Sequence, residues 1–177
     1  AFDVSANANI IIKKTKVFNS IKAALSSFHY VIATSARNRF LQKFHQSNFS
    51  LLFKQIPTNK NIAIVFGPEN SGLSNEDLLL CDCIFSIDLS KKNQSLNLSH
   101  SVLLMAYKWK EYFGNSKDIQ SKKIHLSTKK DFNFFMNFLK CELIKSGFLL
   151  EKEKRSSKFN NVQAMFLRAR LSKREIQ

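Results

Sequence analysis

The sequence predicts an α/β protein built on an open, mostly parallel sheet, with a small basic helical extension at its C-terminal end. Three observations lead there. Short continuous apolar runs, Tyr30–Ala33 and Ile62–Phe66, have the character of strands covered on both faces. They alternate with segments whose apolar residues recur at helical spacing. The composition then shifts at Gly114, beyond which 15 basic and 6 acidic residues give a net of +9.

Taken in order, Asn9-Ile10-Ile11-Ile12 is a short apolar run read as a strand. Asn19 is a candidate N-cap for a helix carrying Ile21, Ala24, Leu25 and Phe28. Tyr30-Val31-Ile32-Ala33 is a buried strand ending in the polar loop Thr34-Ser35-Ala36-Arg37. Phe40–Ile56, rich in aromatic and basic residues, is compatible with helix or irregular chain. After a turn at Pro57–Asn61, the Ile62–Phe66 strand stops at Gly67-Pro68-Glu69-Asn70-Ser71-Gly72-Leu73. Ser74-Asn75-Glu76-Asp77 has the pattern of a capping box and opens a short helix through Leu80.

Ile84–Ile87 is the next strand, followed by the polar loop Asp88–Gln94. Leu98, Val102, Met105, Trp109 and Phe113 then mark an amphipathic helix. Asn115–Ser127 is polar and Lys-rich and reads as a linker. A second capping box, Thr128–Asp131, precedes a stripe of Phe132, Phe135, Leu139 and Leu143 that closes at Ser146-Gly147. Lys152–Lys158 reads as a charged loop, and Asn161–Arg170 as a helix with Val162, Phe166 and Ala169 on one side. The expected division is an α/β unit over 1–113, a linker over 114–130 and a basic helical extension over 131–177.

Composition narrows the class. An apolar fraction of 44% supports a packed core, and 17 Phe against 4 Gly and 2 Pro favours helices and buried strands over a turn-rich all-β protein. No apolar stretch is long enough to cross a bilayer, and Ala1-Phe2-Asp3-Val4 has no signal-like character. Cys81, Cys83 and Cys141 form neither a disulfide framework nor a four-ligand zinc pattern, and are read as reduced thiols of a cytosolic protein. A net charge of +15 favours a polyanionic partner, nucleic acid before anionic membrane.

Three polar loops follow three strands and would converge at the carboxyl edge of a parallel sheet, where ligands of such folds bind. Gly67 permits a sharp turn and a close backbone approach, and Gly72 a second bend. The loop is neither a P-loop nor a dinucleotide fingerprint. Ser95 and Asn97 stand at the start of the last core helix, where they serve either as plain caps or as part of a ligand site. His100 lies inside that helix and is read as structural or solvent-facing rather than as a general base.

The stretch Ile64-Val65-Phe66-Gly67-Pro68-Glu69-Asn70-Ser71-Gly72-Leu73-Ser74-Asn75-Glu76 resembles the second conserved motif of the SpoU/TrmH branch of SPOUT RNA methyltransferases. Ser95-Leu96-Asn97-Leu98-Ser99-His100-Ser101-Val102 resembles the third, in matching order and separation. Thr34–Arg37 before Arg39, and Met165–Arg170, resemble segments of the TrmJ-type subgroup, which methylates ribose in the tRNA anticodon loop.

The resemblance implies a deep trefoil knot in the α/β domain, against the usual rule. It implies 2′-O-ribose methylation of RNA, tRNA before rRNA, with S-adenosyl-L-methionine as methyl donor and no metal. It places Thr34, Ser35, Ala36, Gly67, Pro68, Glu69, Ile87, Gln94, Ser95 and Leu96 around the cofactor. Ser95, Asn97 and Glu69 are implied in ordering the reaction, and Arg37, Arg39, Arg168 and Arg170 in contacting RNA.

A homodimer is also implied, with the helix after Asn97 at the contact; its Val102, Met105 and Trp109 stripe suits a core equally well. The family's first motif, an Asn-x-Gly stretch followed by a catalytic Arg, precedes the segment matching Ala1, and Arg37 and Arg39 lie in a different loop. The chain is therefore expected to lack the family's N-terminal segment, with a non-catalytic RNA-binding relic as the alternative to an enzyme.

Overall fold

A computed structural model describes residues 9–36, 44–57, 59–89, 96–114, 126–149 and 151–176. The expected linker falls largely outside them, as do Arg37, Arg39, Gln94 and Ser95.

Four parallel strands form one sheet in the order β2-β4-β1-β3: β1 is Tyr30–Thr34, β2 Phe44–Gln46, β3 Ile62–Val65 and β4 Cys83–Phe85. The strand expected at Ile84–Ile87 is present one residue earlier and ends at Phe85. β1 is central and buried from Tyr30 to Ala33, with Val31, Ile32 and Ala33 at 0% exposure. Its alternating side chains divide the core into two layers. Tyr30 and Ile32 face a cluster with Leu52, Phe53, Phe85 and Met105. Val31 and Ala33 face Leu25, Leu73, Leu78 and Ile84.

The helices covering these faces follow from local sequence. On one side lie α2 (Ile21–Leu25) and α4 (Asn75–Leu79). Ser20, rather than Asn19, caps α2 by accepting from the Ala23 amide, and Phe28 lies beyond its end. α4 has the expected reciprocal box between Ser74 and Asp77. On the other side lie α3 (Phe49–Gln55), capped by Asn48, and α5 (Leu98–Phe113), capped by Asn97. The described part of the aromatic-rich stretch left open between helix and irregular chain, residues 44–56, thus holds a short strand and a helix. Phe53 meets Trp109 edge-on at 5.8 Å, a favourable quadrupole geometry that locks α3 to α5.

Two expectations are corrected. Asn9–Lys14 is a helix, α1, and not a strand. Ile10 and Ile11 are exposed, so no burial pattern selects an extended conformation, while Lys13 and Lys14 complement the negative end of the helix dipole. A three-residue apolar run does not distinguish the two periods. Lys152–Lys158 is not a loop but the first half of α7 (Lys152–Ala169). Its charged residues form a solvated face, and Glu151 pairs with Lys154 and Lys158. Without apolar residues there, the period was invisible until Phe159.

α6 (Lys129–Lys145) opens with the expected capping box between Thr128 and Asp131. It packs on α7 through Phe132, Met136, Leu149, Phe159 and Leu167, a cluster distinct from the two around the sheet. A short α8 (Lys173–Ile176) ends the described chain. This helical part is fastened to the sheet by polar contacts. The Lys129 and Lys130 amides donate to the Phe28 and Ser26 carbonyls, and Gln163 Nε2 donates to the Leu79 carbonyl at 3.1 Å.

Candidate active site at the carboxyl edge of the sheet

The strand register places Thr34, Phe85 and Gln46 in one row, so three of the strands end together. Main-chain and side-chain bonds then tie the emerging loops. Thr34 Oγ1 donates to the Val65 carbonyl at 3.0 Å, which fixes the end of β1 to the end of β3. The Ser35 amide donates to the Phe85 carbonyl at 3.0 Å, which fixes it to β4 on the other side. Thr34 and Ser35 therefore sit between the other two loops, as a shared pocket requires. Ala36 is exposed beyond them.

The Gly67–Leu73 loop folds back on itself. The Gly72 amide donates to the Pro68 carbonyl at 2.8 Å. A Cβ on Gly67 would lie 2.3 Å from both Gly72 C and Leu73 N, well inside any permissible contact. Gly72 is glycine for another reason: its φ is +66°, with open space around it. Leu73 anchors the loop by inserting into the core under β1. Pro68 and Glu69 are left exposed at the sheet edge.

The helix α5 starts against this loop. Asn97 Nδ2 donates to Glu69 Oε1 at 3.4 Å, joining two sequence motifs 28 residues apart. Asn97 Oδ1 meanwhile accepts from the Ser99 amide at 2.9 Å and from Ser99 Oγ at 2.6 Å. One amide group thus both caps the helix and orients a carboxylate. The two sequence readings of Asn97, cap or site residue, are compatible because they use opposite ends of its side chain. Ile87 is half-buried just after β4 and packs on the core, and Leu96 is half-buried just before Asn97. His100 is exposed on α5.

The arginines singled out near the C-terminus are placed differently from one another. Arg168 is exposed on the last turn of α7. Arg170 adopts the left-handed conformation at the helix end, with φ 51°. Its guanidinium lies 5.1 Å from the centroid of the Tyr30 ring and donates to the Gln55 carbonyl at 3.0 Å. Arg170 therefore joins the helical extension to β1 and α3. Sequence reasoning also missed the buried partners Asp82 and Lys129, which are separated by 47 residues and carry no motif.

The profile of the SpoU rRNA Methylase family matches residues 1–107. The chain belongs to this family. Among its relatives is tRNA (cytidine-2′-O-)-methyltransferase TrmJ of Methanocaldococcus jannaschii, 34% identical over 110 residues, or 60% of this chain and 48% of that protein. The tRNA (cytidine/uridine-2′-O-)-methyltransferase TrmJ of Photorhabdus laumondii is 30% identical across 99% of this chain and 75% of its own length. The SpoU chain thus spans about half of the archaeal relative and about three quarters of the bacterial one.

The crystal structure of TrmJ from Z. mobilis superimposes with a TM-score of 0.80 at 21% identity, covering 97% of this chain and 73% of that one, so the fold is shared. The spans matched include the helical part after Gly114 as well as the sheet.

Proposed function

We propose that this SpoU-family chain carries the cofactor site of a tRNA 2′-O-ribose methyltransferase of the TrmJ type. The observation that supports it most is the Glu69–Asn97 hydrogen bond at the carboxyl edge of the sheet, which brings the two motif loops to one place. Thr34, Ser35, Ala36, Gly67, Pro68, Glu69, Ile87, Gln94, Ser95 and Leu96 surround the cofactor in this reading.

The cradle suits S-adenosyl-L-methionine in one respect that can be checked. A Cβ on Gly67 would strike the Gly72 and Leu73 backbone, so glycine there lets the loop fold back tightly as it leaves β3 and present its main chain at the sheet edge. When bound, the sulfonium group supplies an activated methyl. The protein's task is to hold a ribose 2′-hydroxyl in line with it and to assist loss of the hydroxyl proton. Ser95 and Asn97 orient the reacting groups, and Asn97 holds Glu69 through its Oε1. Arg37, Arg39 and Arg168 are assigned to the RNA surface, with Arg170 at its edge because its guanidinium is already engaged by Tyr30 and Gln55, and the RNA is taken to be a tRNA anticodon loop.

Three further parts of the reading rest on the architecture. The trefoil knot is supported by the placement of β4, which enters between the two earlier strands β1 and β2; an experimental trace through residues 90–95 and into α5 tests it. A homodimer is supported by the outer face of α5. There Leu103 and Tyr107 are 68% and 61% exposed, while Met105 and Trp109 face the core. A sedimentation mass equal to one chain at micromolar concentration would refute it. We further divide the chain into a methyltransferase unit over 1–113, a linker over 114–130 and a helical extension over 131–177. The free cysteines suit a reducing, cytoplasmic setting, and among the described residues no helix is long and apolar enough to cross a membrane.

The deciding experiment is methyl transfer from labelled S-adenosylmethionine to unmodified tRNA and rRNA, with this chain and with a version extended upstream. Transfer to tRNA that is lost in Asn97→Ala, with the fold retained, supports the reading. Transfer to rRNA alone reassigns the substrate. No transfer and no cofactor binding by either version leaves an RNA-binding relic.

A further inference from the structure

A cavity of about 590 Å³ lies between α2, α6 and α8, away from the cofactor loops. Its volume is within the usual range for sites that take small molecules or single nucleotides. Lys22, Lys130 and Lys173 converge on it from the three helices. No ion-pair partner for any of these ammonium groups is present among the described residues. The one carboxylate in the wall, Asp131, is occupied in capping α6, where its Oδ2 accepts from Thr128 Oγ1 at 2.9 Å. The cavity is therefore positive.

Its other lining is not what a bare anion needs. Phe134 is 78% exposed, and Asn133 and Asn137 stand beside it. Lys130, Phe134 and Asn137 recur at helical spacing, so α6 turns one face toward the cavity. An exposed ring offers a stacking surface for a base, two carboxamides offer both donors and acceptors for a base edge, and lysines take phosphates. An acidic peptide would use the lysines but not this combination.

The cavity is also placed rigidly. The Lys130 amide donates to the Ser26 carbonyl at 3.0 Å, so α6 cannot leave α2 without losing a main-chain bond. Ser26 and Phe28 lie at the amino end of β1, whereas Thr34 and Ser35 lie at its carboxyl end. The two places are separated by the length of the strand, about 17 Å for five residues. A ligand engaging both must be extended.

We infer that this cavity is a second RNA-contact site, which holds an unpaired nucleotide of the substrate through base stacking on Phe134 and phosphate contacts to Lys22, Lys130 and Lys173. The inference rests on the RNA-methyltransferase reading and adds to it where a distal part of the same RNA is gripped.

The test measures binding of unmodified tRNA and of a short single-stranded RNA by fluorescence anisotropy across a salt series. It compares the unaltered chain, Phe134→Ala, Lys22→Gln with Lys173→Gln, and a control pair on the exposed helix α1, Lys13→Gln with Lys14→Gln. Cofactor binding and thermal unfolding are followed in parallel. Phe134→Ala is expected to weaken single-stranded RNA between about 5- and 100-fold. The cavity lysine pair should reduce the slope of log K against log salt by about 0.7 for each lost phosphate contact.

Unchanged affinity and slope in both cavity variants, with the unaltered chain still binding RNA, would overturn the inference and leave the wider reading standing. An equal loss from the α1 control would also overturn it, by showing diffuse charge instead of a site. No RNA binding by any version, together with no cofactor binding, would remove both readings at once.

Discussion

Lys129 Nζ lies 2.5 Å from Asp82 Oδ1, and the two side chains are only 7% and 9% exposed. The same carboxylate accepts the Val31 amide at 2.7 Å through Oδ2, and the Asp82 amide donates to the Val31 carbonyl at 2.8 Å. Asp82 thus holds the central strand with one oxygen and the first turn of α6 with the other. Removing one member of a buried pair leaves an uncompensated charge, at about 3–5 kcal/mol. Lys129→Met should lose that much in urea unfolding. Adding Asp82→Asn, which keeps an acceptor for Val31, should restore part of it. A loss below about 1 kcal/mol in the single variant would show that the pair does not fasten the extension.

The two loop glycines should fail in different ways. Gly67→Ala sets a methyl against backbone atoms that cannot move separately, so the Gly67–Leu73 loop must open. Loss of S-adenosylmethionine binding by calorimetry is the expected outcome. Gly72→Ala meets open space and is penalised only by its positive φ, about 1–2 kcal/mol of stability. Equal binding defects in the two would contradict this assignment.

Asn97 separates capping from site function. Asn97→Asp keeps an oxygen for the Ser99 amide but puts a second carboxylate beside Glu69. Asn97→Ala removes both roles, with about 1 kcal/mol lost from the cap. Methyl transfer should fall at least tenfold in both variants, while only the alanine lowers the unfolding temperature through the cap. Full activity in Asn97→Asp would mean that the contact with Glu69 is dispensable.

Much of this site was legible in the sequence because it depends on short-range chemistry. The capping boxes at Ser74 and Thr128, the stop at Gly67 and the cap at Asn97 are each set within about four residues. What escaped was long-range or lacked a period. Asp82–Lys129 and Arg170–Tyr30 join residues far apart in the chain, and either could have been an ordinary surface charge. The first half of α7 offers only charged and polar residues, so its helix shows through Glu151–Lys154 pairing and not through an apolar stripe.

Thiol chemistry should single out one cysteine. Cys81 and Cys83 are buried, whereas Cys141 is exposed on α6. Burial and the nearby Asp82 carboxylate push the Cys83 thiol up to about 12, which leaves almost no thiolate at neutral pH. A maleimide reagent at pH 7 should label one site in the folded protein and three in denaturant. Rapid labelling of Cys83 in the native state would mean that the sheet opens on that timescale.

His29 should make the fold sensitive to mild acid. Burial, with some contribution from Lys60, holds its imidazole below the ordinary 6.5, against an opposing effect from Asp131. The unfolded chain therefore binds the proton more readily than the folded one. The contribution is intact above about 6.5 and is lost as pH falls through the lowered folded value. Unfolding temperature should drop between pH 7.5 and 5.5, and His29→Gln should flatten part of that drop. An identical pH profile in the variant would assign the effect to other groups.

The strand order has a consequence for how the chain is made. Among the described residues β4 is the last strand to be synthesised, yet it lies between β1 and β2, which pair with it on either side. Until residues 83–85 emerge, β1 and β2 have no hydrogen-bonded neighbour in common, and a gap runs through the nascent sheet. The middle of the sheet is therefore completed by the youngest of these four strands, a long-range closure that slows folding and leaves strand edges exposed for longer.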